Sequence, residues 1–148
     1  MTEVRIIFAG SREWRDYSTI AATMLSIRDY LAEKGAKLFV IEGRARGADL
    51  TAERVAILNG IPYQGFPAQW KKFGKAAGPI RNEQMLVEGR ADGTIAFHDD
   101  ITHSKGTRHM IDISAKRQVP FTLYTFYGHD FLDKCTQHAQ EREKNEKQ

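Results

Sequence analysis

Five short apolar runs, separated mostly by stretches of helical periodicity, constrain this chain more than any other feature. The runs are residues 4–9 (VRIIFA), 37–41 (KLFVI), 61–66 (IPYQGF), 94–97 (TIAF) and 120–124 (PFTLY). Runs this short and apolar read as strands buried on both faces, the mark of a parallel sheet. The third is the weakest, because Pro62 and Gly65 interrupt it. In residues 18–34, Ile20, Met24, Ile27 and Leu31 recur at helical spacing, and Gly35 follows as a stop. A second helix is expected over 48–59, where Ala48, Ala52, Val55 and Ala56 form a small-residue face suited to lying close on a sheet. A short helix carrying Trp70 and Phe73, an interruption at Gly78-Pro79, and helices over 80–88 and 106–116 complete the alternation.

Alternating strands and helices predict an α/β fold: a Rossmann-like, doubly wound parallel sheet of about five strands in three α/β/α layers. Right-handed crossovers leave a doubly wound sheet as the simplest topology, and 3-2-1-4-5 is the strand order expected for it. One domain is expected over residues 1–128, followed by a helical, polar tail over 129–148. The last nine residues, QEREKNEKQ, hold three acids and three bases, and fraying is expected there.

No apolar run approaches the roughly 18 residues of a membrane span. The N-terminal segment is too short and too acidic for a signal peptide. The single cysteine, Cys135, excludes an internal disulfide framework, so a cytoplasmic setting is expected. Lys and Arg number 22 against 19 Asp and Glu, a net charge of +3, and the pI is about 9.0. That balance suits an anionic partner without distinguishing nucleic acid from a small phosphorylated ligand.

In doubly wound sheets, ligands bind beyond the carboxyl ends of the strands. Three loops there share one character: Gly10-Ser11-Arg12, Gly43-Arg44-Ala45-Arg46-Gly47 and Ser104-Lys105-Gly106-Thr107-Arg108. Glycine lets backbone approach a ligand, free N–H groups at a helix start donate to an anion, and arginine offers phosphate a fork of donors. With the order 3-2-1-4-5, Ser11, Arg12, Ser104, Gly106 and Thr107 are expected to converge on one ligand. Neither G-x-G-x-x-G nor G-x-x-x-x-G-K-[ST] is present. His98, Asp99, Asp100, His103 and His109 match no standard metal-ligand spacing, and no dedicated metal site is expected.

The sequence resembles the YspA-type family of the SLOG superfamily, Rossmann-like domains related to the cytokinin-activating phosphoribohydrolases and to DprA. The resemblance covers about residues 5–124. It rests on Gly10-Ser11-Arg12 with Trp14 and Asp16, Gly43 through Asp49, Pro67-Ala68-Gln69-Trp70, Gly74 through Asn82 with Met85, and Ser104-Lys105-Gly106-Thr107. It implies binding of a nucleotide or nucleotide-derived molecule, for sensing, sequestering or processing. The residues expected to hold it are Gly10, Ser11, Arg12, Gly43, Arg44, Arg46, Gly47, Asp49, Trp70, Arg81, Asn82, Ser104, Gly106 and Thr107.

Two departures stand out. The family usually has two glycines before Ala45, and here the second is Arg44. The related hydrolases carry a catalytic glutamate just after their Gly-Thr pair, and here Arg108 follows Thr107. The alternative, a nucleotide N-glycoside hydrolase releasing base and ribose 5-phosphate, would therefore look elsewhere for its groups. Arg81, Glu83 and Glu42 are the catalytic candidates, with Asp49 a further carboxylate of interest. A third reading, DprA-like nucleic-acid binding, is disfavoured because the arginines sit in loops at one edge with no continuous basic stripe. No cofactor is expected beyond a magnesium ion arriving with a phosphate ligand. A homodimer is expected by likeness to the paired hydrolases.

Overall fold

The computed structural model describes residues 1–148. Its strands are β1 (Thr2–Gly10), β2 (Ala36–Glu42), β3 (Tyr63–Gly65), β4 (Gly93–Phe97) and β5 (Phe121–Leu123). Its α-helices are α1 (Tyr17–Glu33), α2 (Ala48–Leu58), α3 (Trp70–Phe73), α4 (Ala77–Val87), α5 (Lys105–Lys116) and α6 (His129–Glu146). All five strands are parallel, in the order β3-β2-β1-β4-β5. This is the expected α/β Rossmann-like fold. The switch point lies between β1 and β4, where Phe8 pairs with Ile95 and Gly10 with Phe97.

The pleat of β1 sorts its side chains into two cores. Val4, Ile6 and Phe8 join Leu38, Val40, Ile95 and Phe97 on one face, under α1, α2 and α6. Ile7 and Ala9 join Ile41 on the other, under Met85 and Leu86 of α4 and Met110 and Ile113 of α5. The predicted stripe of α1 is fully buried: Ile20, Met24, Ile27 and Leu31 are each 0% exposed. Each contributes about 1.5–3 kcal/mol of apolar burial. Asp16 caps the helix by accepting from the Thr19 N–H at 3.0 Å.

Two expectations are corrected. Gly78-Pro79 does not interrupt the chain but lies in the first turn of α4. A first-turn proline is tolerated because its missing N–H would have no intrahelical partner. The tail does not fray at residue 140, since α6 runs to Glu146. Phe131, Leu132, Cys135 and Ala139 seat it in the core. Arg142 then reaches the fully buried Asp92, with Nε 2.9 Å from Oδ1 and Nη2 3.0 Å from Oδ2. Asp92 also accepts from the Arg5 amide at 2.8 Å, and His138 Nδ1 lies 2.9 Å away.

Candidate functional site

The carboxyl ends of β1 and β4 are knotted together by Ser11. Its N–H donates to the Phe97 carbonyl at 2.9 Å, and its carbonyl accepts from the Ala48 N–H at 3.0 Å. Gly10 makes this crossing feasible, because a Cβ there would run into the Phe97 carbonyl and lie 2.9 Å from Ala48 Cβ. Gly47, at φ 82°, packs as closely on the backbone of Ser11 and Arg12. Gly47 therefore shapes the loops and lines neither cleft described below, unlike its expected ligand contact.

Above this knot lies a cleft of about 340 Å³. Gly10, Ser11, Arg12, Asp49, Arg81, Asn82, Ser104, Gly106 and Thr107 all line it, so most of the expected ligand residues converge. The amino end of α5 forms one wall. Ser104 caps that helix by accepting from the Thr107 N–H at 3.2 Å. First-turn N–H groups of a helix lack intrahelical acceptors, which favours an anion at this wall.

A second cleft, of about 370 Å³, adjoins the first and shares Arg12, Ala45 and Arg81 with it. Gly43, Arg44, Arg46, Pro67, Ala68 and Trp70 complete its lining. Trp70 is 49% exposed, and the Arg12 guanidinium lies 5.6 Å from its ring centroid. Trp14, by contrast, is a core residue, edge-on to Phe97 and Tyr124, with its indole N–H donating to the Asp16 carbonyl at 2.8 Å.

Arg81 is the pivot. It is 9% exposed, and it donates through Nη1 to the Gly43 carbonyl at 2.5 Å and through Nε to Asn82 Oδ1 at 3.0 Å. Burial lowers its pKa while the nearby Asp49 acts in the opposite sense. A guanidinium stays charged through such a shift. Burial pushes the Asp49 pKa up to about 6, with Arg81 and the Ala45 and Gly43 amides pulling it down. Asn82 Nδ2 lies 3.1 Å from His109 Nδ1, tying α4 to α5 across the cleft floor.

The two other catalytic candidates do not converge here. Glu83 pairs with Arg117 at 2.7 Å and lines neither cleft, because it faces the carboxyl end of α5. Glu42 is 0% exposed and lies beneath the loop, with Oε1 accepting from the Arg44 N–H at 2.7 Å. Its Oε2 has no hydrogen-bond partner and sits against Gly65 and Arg44, out of the cleft. Burial pushes its pKa up to about 8; the Arg44 amide opposes this and neighbouring Glu53 adds to it. Arg44 takes the left-handed φ of 56° that a glycine would hold without strain, and pairs with Glu53 at 2.6 Å. Arg46 pairs with Glu13 at 2.8 Å on the exposed rim.

The polar loop has its own partners. Asp100 accepts from the Thr102 N–H at 3.0 Å, and His103 Nδ1 lies 2.6 Å from Asp100 Oδ2. No group of three or more His, Cys, Asp or Glu side chains is arranged to hold a metal ion. His98 and His103 instead line the first cleft, a placement their spacing did not reveal. Glu13 was also missed: nothing in Ser11-Arg12-Glu13 signals that the acid turns to the rim.

The chain belongs to the YspA, cpYpsA-related SLOG family (YAcAr), whose model matches residues 4–73. It is 36% identical over 123 residues to the Gene 61 protein of Mycobacterium phage D29, covering 78% of this chain and 92% of that protein. DprA, DNA processing protein A of Streptococcus pneumoniae, shares the fold at a TM-score of 0.64 and 16% identity, over 93% of this chain. The match spans 56% of that DprA chain, little more than half its length. A predicted tRNA methyltransferase subunit from Methanocaldococcus jannaschii matches at a TM-score of 0.38 and 15% identity, over 93% of this chain and 74% of that one. No helix is long and apolar enough to cross a membrane.

Proposed function

We propose that this protein binds a phosphate-bearing, nucleotide-derived small molecule in the paired clefts. One observation carries the reading: Arg12, Arg81 and the amino end of α5 line a single cleft at the switch point of the sheet. Arg12 makes no ion pair or hydrogen bond through its side chain and lies only near the Trp70 ring, 5.6 Å from its centroid, so it meets an anion without first giving up an acidic partner. Arg81 is held in place by Gly43 and Asn82, which reduces the ordering cost of binding. A magnesium ion would enter with the ligand's phosphates, since the one buried carboxylate of the cleft, Asp49, already lies near Arg81.

Calorimetry against mononucleotides, dinucleotides, ADP-ribose species and cyclic nucleotides tests this reading. Binding with Kd below about 1 mM, a free energy beyond about −4 kcal/mol, is expected for at least one. Failure of the whole panel contradicts it.

A second reading, N-glycoside hydrolysis, is favoured by Asp49 alone. A carboxyl group with a pKa of about 6 in the cleft suits proton transfer near neutral pH. It predicts free base and ribose 5-phosphate as products, with turnover lost in Asp49→Asn while binding is retained. Binding without product over hours refutes it.

A further inference from the structure

β5 is the last strand of the sheet, bonded to β4 on one side and to no strand on the other. The Pro120 carbonyl accepts from the Thr94 N–H at 2.8 Å, and the Tyr124 N–H donates to the Ala96 carbonyl at 2.9 Å. In a parallel strand the N–H and C=O of one residue point to the same side, and successive residues alternate. Phe121 and Leu123 therefore turn their backbone groups to the open side. The Leu123 carbonyl there accepts from the Phe126 N–H at 2.9 Å. The Phe121 N–H and C=O and the Leu123 N–H are left without a strand to bond.

Edge strands are commonly blunted by charged side chains or by proline. Here residues 118–129 contain no Asp, Glu, Lys or Arg. Pro120 precedes the strand, so every residue of β5 keeps its N–H. Beside this edge lies a groove of about 660 Å³, lined by Val119, Phe121, Phe126 and Phe131 together with the start of α6. Phe121 is 44% exposed and Phe126 76%. The acid and the lysine of the groove, Asp130 and Lys134, pair with each other at 3.2 Å.

Three features select the occupant. Free backbone donors and an acceptor in strand register suit an extended main chain, which supplies the same groups at the same spacing. A groove whose charges cancel suits apolar side chains at alternate positions. The exposed area argues against a second copy of this chain. The rings of Phe121 and Phe126 expose roughly 200–300 Å² between them, against the about 800 Å² that each partner covers in a stable protein–protein interface. An added strand instead draws its affinity from main-chain hydrogen bonds.

We infer that β5 is a docking edge for an extended, uncharged segment of a partner polypeptide, which adds as a sixth strand and lays alternate apolar side chains against Phe121 and Phe126. The groove shares no lining residue with the paired clefts, so this inference stands independently of the nucleotide reading.

The test uses the acetylated and amidated peptide KTVTFTVTK, with lysines at its ends for solubility, and a twin N-methylated along its central residues. Each is titrated into the nitrogen-15-labelled wild type and Phe126→Ala. Phe126 is mostly exposed, so the variant is expected to fold. The plain peptide should shift the amides of Phe121, Thr122 and Leu123 saturably, with Kd at or below about 1 mM. The twin, which carries the same charges but lacks the main-chain donors, should leave them unmoved. Phe126→Ala should weaken the plain peptide by about threefold or more, and the amides of Ser11, Arg81 and Gly106 should stay still throughout.

Unmoved β5 amides with the plain peptide in millimolar excess overturn the inference. Equal binding of the twin overturns main-chain pairing, and an unchanged affinity in Phe126→Ala overturns the placement in the groove. Shifts of the same amides with protein concentration alone, matched by a dimer in sedimentation velocity, overturn it in favour of a second copy of this chain.

Discussion

Glu42→Gln should stabilise the protein above neutral pH and flatten its stability profile. Glu42 is fully buried, and its pKa is raised from 4.5 to about 8. Between those values the folded chain holds a proton that the unfolded chain has released. Stability therefore falls as pH rises through this window and is lowest above pH 8. At 1.36 kcal/mol per unit, the full span sets an upper limit of roughly 5 kcal/mol. Relaxation and water entry around the charge reduce that, and about 1–3 kcal/mol is expected. Glutamine keeps the carbonyl that accepts from the Arg44 amide. Its amide N–H₂ also takes the place of the protonated carboxyl as a donor toward the neighbouring Glu53 carboxylate, which helps to hold the Glu42 pKa up. Urea unfolding of both proteins from pH 5 to 9 is the assay. The two should be of similar stability near pH 5 and diverge on going alkaline, with the variant on top. Parallel profiles would mean that Glu42 does not gain its proton on folding, and would refute the reasoning.

Three further outcomes are expected from thermal or denaturant unfolding. Arg44→Gly removes about 1–2 kcal/mol of left-handed strain and loses one partly exposed ion pair to Glu53. It should melt at or above wild type and about 1 kcal/mol above Arg44→Ala, which keeps a Cβ. Gly10→Ala should cost about 3 kcal/mol, because its Cβ meets the backbone of Phe97, which cannot rotate away. Arg142→Ala strips the main cation from fully buried Asp92 and should cost about 3 kcal/mol. Limited proteolysis should then cut within α6 before the sheet.

Most of the fold was legible because buried parallel strands and amphipathic helices carry their burial in their spacing. Ile20, Met24, Ile27 and Leu31 fall where the periodicity puts them, and the sheet has the expected order 3-2-1-4-5, one of the few that right-handed crossovers leave open. The boundaries of β3 were less so. Residues 61–66 were expected, but only Tyr63–Gly65 are strand, because the Pro62 ring has no N–H for the ladder. Much of the candidate site was legible through its glycines and arginines, which mark loops at one edge. The carboxylates were not. Glu42, Asp49 and Glu83 look alike in the sequence, yet one lies under the loop, one lines the cleft and one pairs with Arg117. Those fates depend on neighbours far along the chain. The same holds for Arg142, whose polar surroundings suggested a frayed end while its partner Asp92 lies 50 residues away in sequence.

Amide chemical-shift mapping of the nitrogen-15-labelled protein during titration with the tightest-binding member of the nucleotide panel tests the central claim most directly. The account predicts saturable shifts concentrated at Ser11, Arg12, Arg81 and the start of α5 around Gly106, with the Trp70 indole moving in step. A separate cleft beside β5 and α6, lined by Phe121, Phe126 and Lys134, should stay silent. Shifts confined to that second location, or none at the switch point with ligand in excess, would contradict the assignment of the site.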